Sequence, residues 1–145
     1  MTIEELLEGS GLAEKAVRLD ENLVRMQWGS AFVIAGISGS AVVAIAPLFR
    51  AVPKGQELAF FKKLLEHNAY MGGMASFALQ PDGWVVLHAG RALKGIDSQE
   101  FATLVAGVGR FADQFDDQLI AEFYADGTPD AVASTANSGE FPATD

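Results

Sequence analysis

The chain has two histidines, His67 and His88, and no cysteine. These are the residue types that most often carry proton transfer, metal ligation or thiolate attack near neutral pH. Without cysteine there is no disulfide staple, no thiolate metal site and no cysteine nucleophile. His67 sits near the end of an expected helix, where the macrodipole alone favours a histidine. His88 shares one face of an expected strand with Trp84 and Val86. No serine–histidine–acid spacing stands out. Both histidines therefore read as packed or edge residues, and no catalytic residue is assigned.

Glycine-rich stretches give the same answer. Gly107-Val108-Gly109 lacks the third glycine of a nucleotide loop and lies inside a helical pattern, and Gly36-Ile37-Ser38-Gly39-Ser40 lacks the Lys-Ser/Thr of a phosphate loop. Asp113, Asp116 and Asp117 could offer carboxylates to a divalent ion, but they read as a solvated acidic helix face. Met26, Met71 and Met74, with Trp28, Phe32 and Phe77, could line an adaptable apolar surface or fill a core. No cofactor and no metal is implied. The chain reads as a non-enzyme.

The elements that would position these residues belong to one domain. The 145 residues are enough to bury a real core, and half of them are hydrophobic. The net charge of −9 is uneven, because no basic residue follows Arg110 whereas eight acidic ones do. An acidic end repels phosphate backbones, which argues against nucleic acid as a partner. Met1-Thr2-Ile3-Glu4-Glu5 is not a basic n-region, so no secretory signal is expected, and the reading is cytoplasmic. Residues 26–49 carry no charge, but Gly29-Ser30, Gly36, Ser38-Gly39-Ser40 and Pro47 break them into short strands instead of a membrane span.

Thr2 and Glu5 have capping-box spacing for a short helix over 2–8, with Ile3, Leu6 and Leu7 as its apolar face. A second helical piece is expected over Leu12–Leu19. Val24, Met26 and Trp28 alternate with Arg25 and Gln27, the period of a half-buried strand. Phe32–Ile37 and Ala41–Phe49 are apolar throughout, as in strands covered on both sides. A helix over 56–68 carries Leu58, Phe61, Leu64 and Leu65 at helical spacing, stopped by Asn68 and Gly72-Gly73. Pro81-Asp82-Gly83 joins strands 74–79 and 84–89 as a hairpin. Asp97, with Glu100 three residues on, opens a long helix to Tyr124 striped by Phe101, Leu104, Val108, Phe111, Phe115 and Leu119. Gly107 and Gly109 inside it suggest close packing on a neighbour. Residues 1–126 thus form one α+β domain, an antiparallel sheet with helices packed on it in the order α-β-β-β-α-β-β-α. Residues 127–145 read as a disordered acidic tail.

This order of elements, together with Leu64-Leu65-Glu66-His67-Asn68, Gly72-Gly73, Leu79 to Gly83, Arg91 and Leu93-Lys94-Gly95-Ile96-Asp97, resembles the class I (CesT/Tir-type) chaperones of type III secretion. The same helix–hairpin–helix region is similar to the YbjN-like proteins, so a regulatory or scaffold protein of the same fold stays open beside a secretion chaperone. The resemblance implies a homodimer that binds an extended client (effector) polypeptide. It places the subunit contact at the helix 56–68 and the strand 74–79, through Leu58, Phe60, Phe61, Leu64 and Phe77. Phe60 and Phe61 lie about 100° apart on a helix, which widens the apolar arc beyond a single buried stripe. Ile3, Leu6 and Leu7 of the first helix and Val24, Met26 and Trp28 of the meander are then expected to receive the client.

Overall fold

A computed structural model describes residues 1–125. The expected tail over 127–145 lies outside the described residues. Three helices, α1 (Ile3–Leu7), α2 (Glu57–Met71) and α3 (Ser98–Phe123), accompany six strands. The strands are β1 (Val17–Arg18), β2 (Leu23–Trp28), β3 (Ala31–Ser38), β4 (Ala41–Phe49), β5 (Ser76–Leu79) and β6 (Val85–Ala92). They form one antiparallel sheet in the order β1-β2-β3-β4-β6-β5. This is the expected α+β architecture, with one strand more than foreseen. The helix expected over Leu12–Leu19 is instead a pair of turns followed by β1, whose Val17 and Arg18 pair with Arg25 and Val24. The stretch has no apolar stripe deep enough to dock a helix, and both residues of β1 are exposed.

Local chemistry accounts for the element ends. The Thr2 side chain accepts from the Glu5 backbone N–H while Glu5 reaches back to Thr2, so the capping box forms. Asp97 accepts from the Glu100 N–H at 2.8 Å and opens α3. In the Pro81-Asp82-Gly83 turn, Gly83 takes φ of 96°, a conformation open to glycine and costly for other residues. Pro47 is tolerated in a central strand because β3–β4 pairing stops at Ile34–Ile45. Beyond that point β4 bonds only to β6, through an irregularity between Pro47 and Phe49, so the missing N–H leaves no β3 ladder bond broken.

All three helices pack on one face of the sheet, and their side chains share a single core cluster. α3 is continuous and buries Phe101, Leu104, Val108, Phe115 and Leu119, with Phe111 at the margin. The buried stripe of α2 differs from the expected one. Phe60, Leu64 and Met71 turn inward while Leu58 and Leu65 are exposed. α2 also runs on to Met71, so Asn68 is not its stop; Gly72 closes it in the left-handed conformation. Phe60 meets Phe49 and Phe123 with ring centroids 6.1 and 5.1 Å apart. Tyr124 stacks on Phe49 at 4.5 Å and its hydroxyl donates to the Ala51 carbonyl at 2.6 Å. That aromatic cluster locks the end of α3 to the end of β4.

Among the described residues, no helix packs on the other face of the sheet. Phe32 and Ile34 form a second cluster with Leu23, to which no helix residue belongs. β3 and β4 are buried on both faces over most of their length, as expected, with Phe32, Ile34 and Ile45 on the outer side no more than 8% exposed.

Candidate protein-binding site

The faces follow from strand alternation. In β2, Val24 and Met26 point under α3 and are buried, with Trp28 at the edge of the same cluster. Leu23, Arg25 and Gln27 take the opposite face. In β3, Ala31, Val33 and Ala35 join the helix-side core, and Phe32 and Ile34 the outer cluster. Ile3 and Leu6 are fully buried between α1 and the rest of the core, and Leu7 is half-buried. Ile3, Leu6, Val24 and Met26 are thus core residues of the lone chain, which corrects the expectation that they present an open client surface. The period of β2 was legible, but which face the helices would take was not.

The outer face is also largely buried at Phe32, Ile34, Ile45 and Val86, and it opens into a groove where Leu23, Ile37 and Val43 are half-buried. The groove, of about 530 Å³, runs over Leu23, Ile34, Ile37, Val43 and Ile45 and is bordered by Asp20 and Glu21. At the other end of this face, the Arg25 guanidinium lies 4.7 Å from the centre of the Phe32 ring, and that of Arg50 lies 6.0 Å from Trp84. Such cations lay their side chains over an aromatic surface. His88 is exposed on this face, opposite Ile45 and Ser76.

A second apolar surface lies at the β5 edge. A groove lined by Phe61, Leu64, Leu65, Asn68, Phe77 and Leu79 separates α2 from β5. Leu58, Leu65 and Leu79 are 84%, 68% and 51% exposed around it. Of the five residues expected at a subunit contact, Leu58 is on the surface and Phe61 half-buried. Leu64 and Phe77 are mostly inward, and Phe60 is wholly buried in the core. Phe60 is therefore corrected from a contact residue to a core residue. Asn68 holds this edge together: its Oδ1 accepts the Phe77 N–H at 2.7 Å. A lone backbone pair that would otherwise face the side of α2 is satisfied by a side chain.

The titratable groups singled out from sequence are structural in placement. His67 stacks on Phe115 with ring centroids 4.1 Å apart. Burial, helped by Lys63, lowers its pKa, the reverse of the macrodipole effect expected at a helix end. Asp113, Asp116 and Asp117 are not one solvated face. Ser30 Oγ lies 3.0 Å from Asp113 Oδ1 and 2.5 Å from Asp116 Oδ2, and Asp116 is wholly buried. Burial pushes the Asp116 carboxyl up to about 6, against the hydrogen bonds from Ser30 and the Asp117 N–H. The methionines do not share a surface either: Met26 and Met71 are in the core, and Met74 is exposed near Gly107.

No family model matches the sequence, and no curated protein matches it significantly. Solved structures do match. A chain of the ExsC–ExsE complex superposes with a TM-score of 0.54 at 16% identity, covering 78% of this chain and 91% of that one. A chain of the heterodimeric ExoU–SpcU complex from the type III secretion system of Pseudomonas aeruginosa superposes with a TM-score of 0.58 at 20% identity, covering 81% and 96%. This chain, α+β with a six-stranded antiparallel sheet, thus shares its fold with chains of these two complexes. Among the described residues no helix is long and apolar enough to cross a membrane.

Proposed function

We propose that this chain is a non-catalytic, cytoplasmic binding module that holds an extended segment of a client polypeptide and works as a homodimer. The observation that carries the reading is the one-sided sheet. Its helices cover one face, and the other keeps an apolar cluster and the groove over Leu23, Ile34, Ile37, Val43 and Ile45. An extended peptide fits such a groove by seating alternate apolar side chains, and the short exposed strand β1 beside it offers unpaired backbone groups for strand addition. The complexes formed by the structural relatives agree with protein binding. The exposed leucines at the α2–β5 edge supply the surface for the second copy.

The test is co-expression with the product of the adjacent reading frame, followed by limited proteolysis of the isolated complex. A short client segment should be protected, and Ile37→Asp or Val43→Asp, at half-buried positions in the groove, should abolish protection while leaving the chain folded. A complex in which no client segment is protected, or in which these substitutions have no effect, overturns the reading.

A further inference from the structure

The groove on the outer face has an acidic mouth that the fold itself builds. We propose that the client segment it takes is cationic: an extended peptide whose apolar side chains lie over Leu23, Val43 and Ile45 and whose lysine or arginine pairs with Asp20 and Glu21. The inference rests on the client-binding reading above and names the chemistry of the client.

The loop between β1 and β2 is pinned in place. Arg18 Nε and Nη2 donate to the Asp20 and Glu21 carbonyls at 2.6 and 3.0 Å, and Asp20 Oδ1 accepts the Asn22 N–H at 2.7 Å. The Asn22 carbonyl accepts the Ile37 N–H at 3.0 Å. It also fills the space over Gly36, where a Cβ would overlap its oxygen. The loop is thereby fixed to β3, and Asp20 and Glu21 border the groove.

The same bonds occupy Arg18. It pairs in register with Val24, whose side chain is in the helix-side core, and paired residues share a face. Its guanidinium, already on two carbonyls, also bridges to Glu4 of α1. Among the described residues, neither Asp20 nor Glu21 has a cationic partner. An apolar floor beside two uncompensated carboxylates opposes an acidic occupant and draws a basic one. Lysine and arginine suit that boundary, because the stem lies on apolar surface while the charged head reaches the carboxylates.

The test is selection of random displayed peptides on the full-length protein. Wild type should enrich Lys or Arg next to aliphatic residues at alternate positions. Asp20→Asn/Glu21→Lys should keep the aliphatic spacing and lose the basic residue; the asparagine retains the acceptor for the Asn22 N–H. Val43→Asp should lose the aliphatic peptides. A synthetic copy of the best wild-type peptide should bind Asp20→Asn/Glu21→Lys about three- to tenfold more weakly, and the difference should shrink as salt is raised. Enrichment without basic residues overturns the proposal and leaves the groove as a client site. So does selection of the same basic peptides by Asp20→Asn/Glu21→Lys. Peptides that Val43→Asp binds as well as wild type lie outside the groove and overturn the client reading with it. Amide signals of Val43 and Ile45 that shift on dilution of the chain alone assign the groove to a second copy, which also overturns the proposal.

Discussion

Ser30 and Asp116 meet 2.5 Å apart where the β2–β3 turn touches the buried side of α3. The Ser30 hydroxyl has one proton and two carboxyl oxygens within reach, because Asp113 Oδ1 lies 3.0 Å away. That one proton is donated to Asp116 Oδ2 or to Asp113 Oδ1 but not to both at once. Burial of the Asp116 carboxyl raises its pKa in spite of the Ser30 hydrogen bond, which alone would lower it.

The pH dependence follows. The native carboxyl titrates near 6 and the free one near 3.8, so the native state binds the proton more tightly. Stability is then higher below the native pKa and falls as pH rises from about 4 to about 7, by about 1–3 kcal/mol for this group. Asp116→Asn keeps an acceptor for the Asp117 N–H and a donor for Ser30 Oγ without the charge. It should raise the urea midpoint at pH 7.5 and leave it nearly unchanged at pH 4.5. Equal shifts at both pH values would show that the charge of Asp116 is not responsible.

The two glycines of α3 should behave oppositely. A Cβ on Gly109 would stand 2.5 Å from Trp28 Cγ and Cδ2, whereas one on Gly107 meets only Met74 Cε at 4.0 Å. Gly107→Ala should gain up to about 1 kcal/mol from helix propensity. Gly109→Ala should lose about 1–3 kcal/mol, because Trp28, with Lys15 Nζ 3.8 Å over its ring, must move. Thermal melts of the two variants check the pair; Gly109→Ala at or above wild type would mean the indole moves freely.

Asn68 should matter more than a helix-surface polar residue. Asn68→Ala leaves the Phe77 N–H without its partner and should cost about 1–3 kcal/mol. Hydrogen exchange should show the loss first at the Phe77 amide. Unchanged exchange at Phe77 would count against the clasp.

Much of the fold was legible because it rests on local signals. The Thr2–Glu5 box, the Pro81-Asp82-Gly83 turn and the Phe101-to-Leu119 stripe each specify their element within a few residues. The site was less legible for a physical reason. Period-2 alternation separates Val24 and Met26 from Leu23 and Arg25 but does not say which set the helices cover. In α2, Leu58, Phe60, Leu64 and Leu65 make a broad apolar arc, and only the position of β4 and α3 decides that Phe60 turns inward. Likewise Asp116 looks like a surface acid until Ser30, 86 positions away in sequence, is brought to it.

The dimer proposal turns on that same arc. Leu58, Leu65 and Leu79 stand exposed around the groove between α2 and β5, and β5 is the last strand of the sheet. Exposed apolar side chains beside an unpaired strand edge invite association. Each leucine buried at a subunit contact would contribute about 1.5–3 kcal/mol. Leu65→Asp should therefore convert a dimer to a monomer by sedimentation at tens of micromolar while the far-ultraviolet spectrum stays native. Phe60→Asp should instead unfold the chain, since that ring sits between Phe49 and Phe123 with no solvent exposure. If wild type sediments as a monomer, the homodimer is wrong. If Leu65→Asp and Leu79→Asp both remain dimeric, the copies meet elsewhere, and the α2–β5 edge is free for another partner.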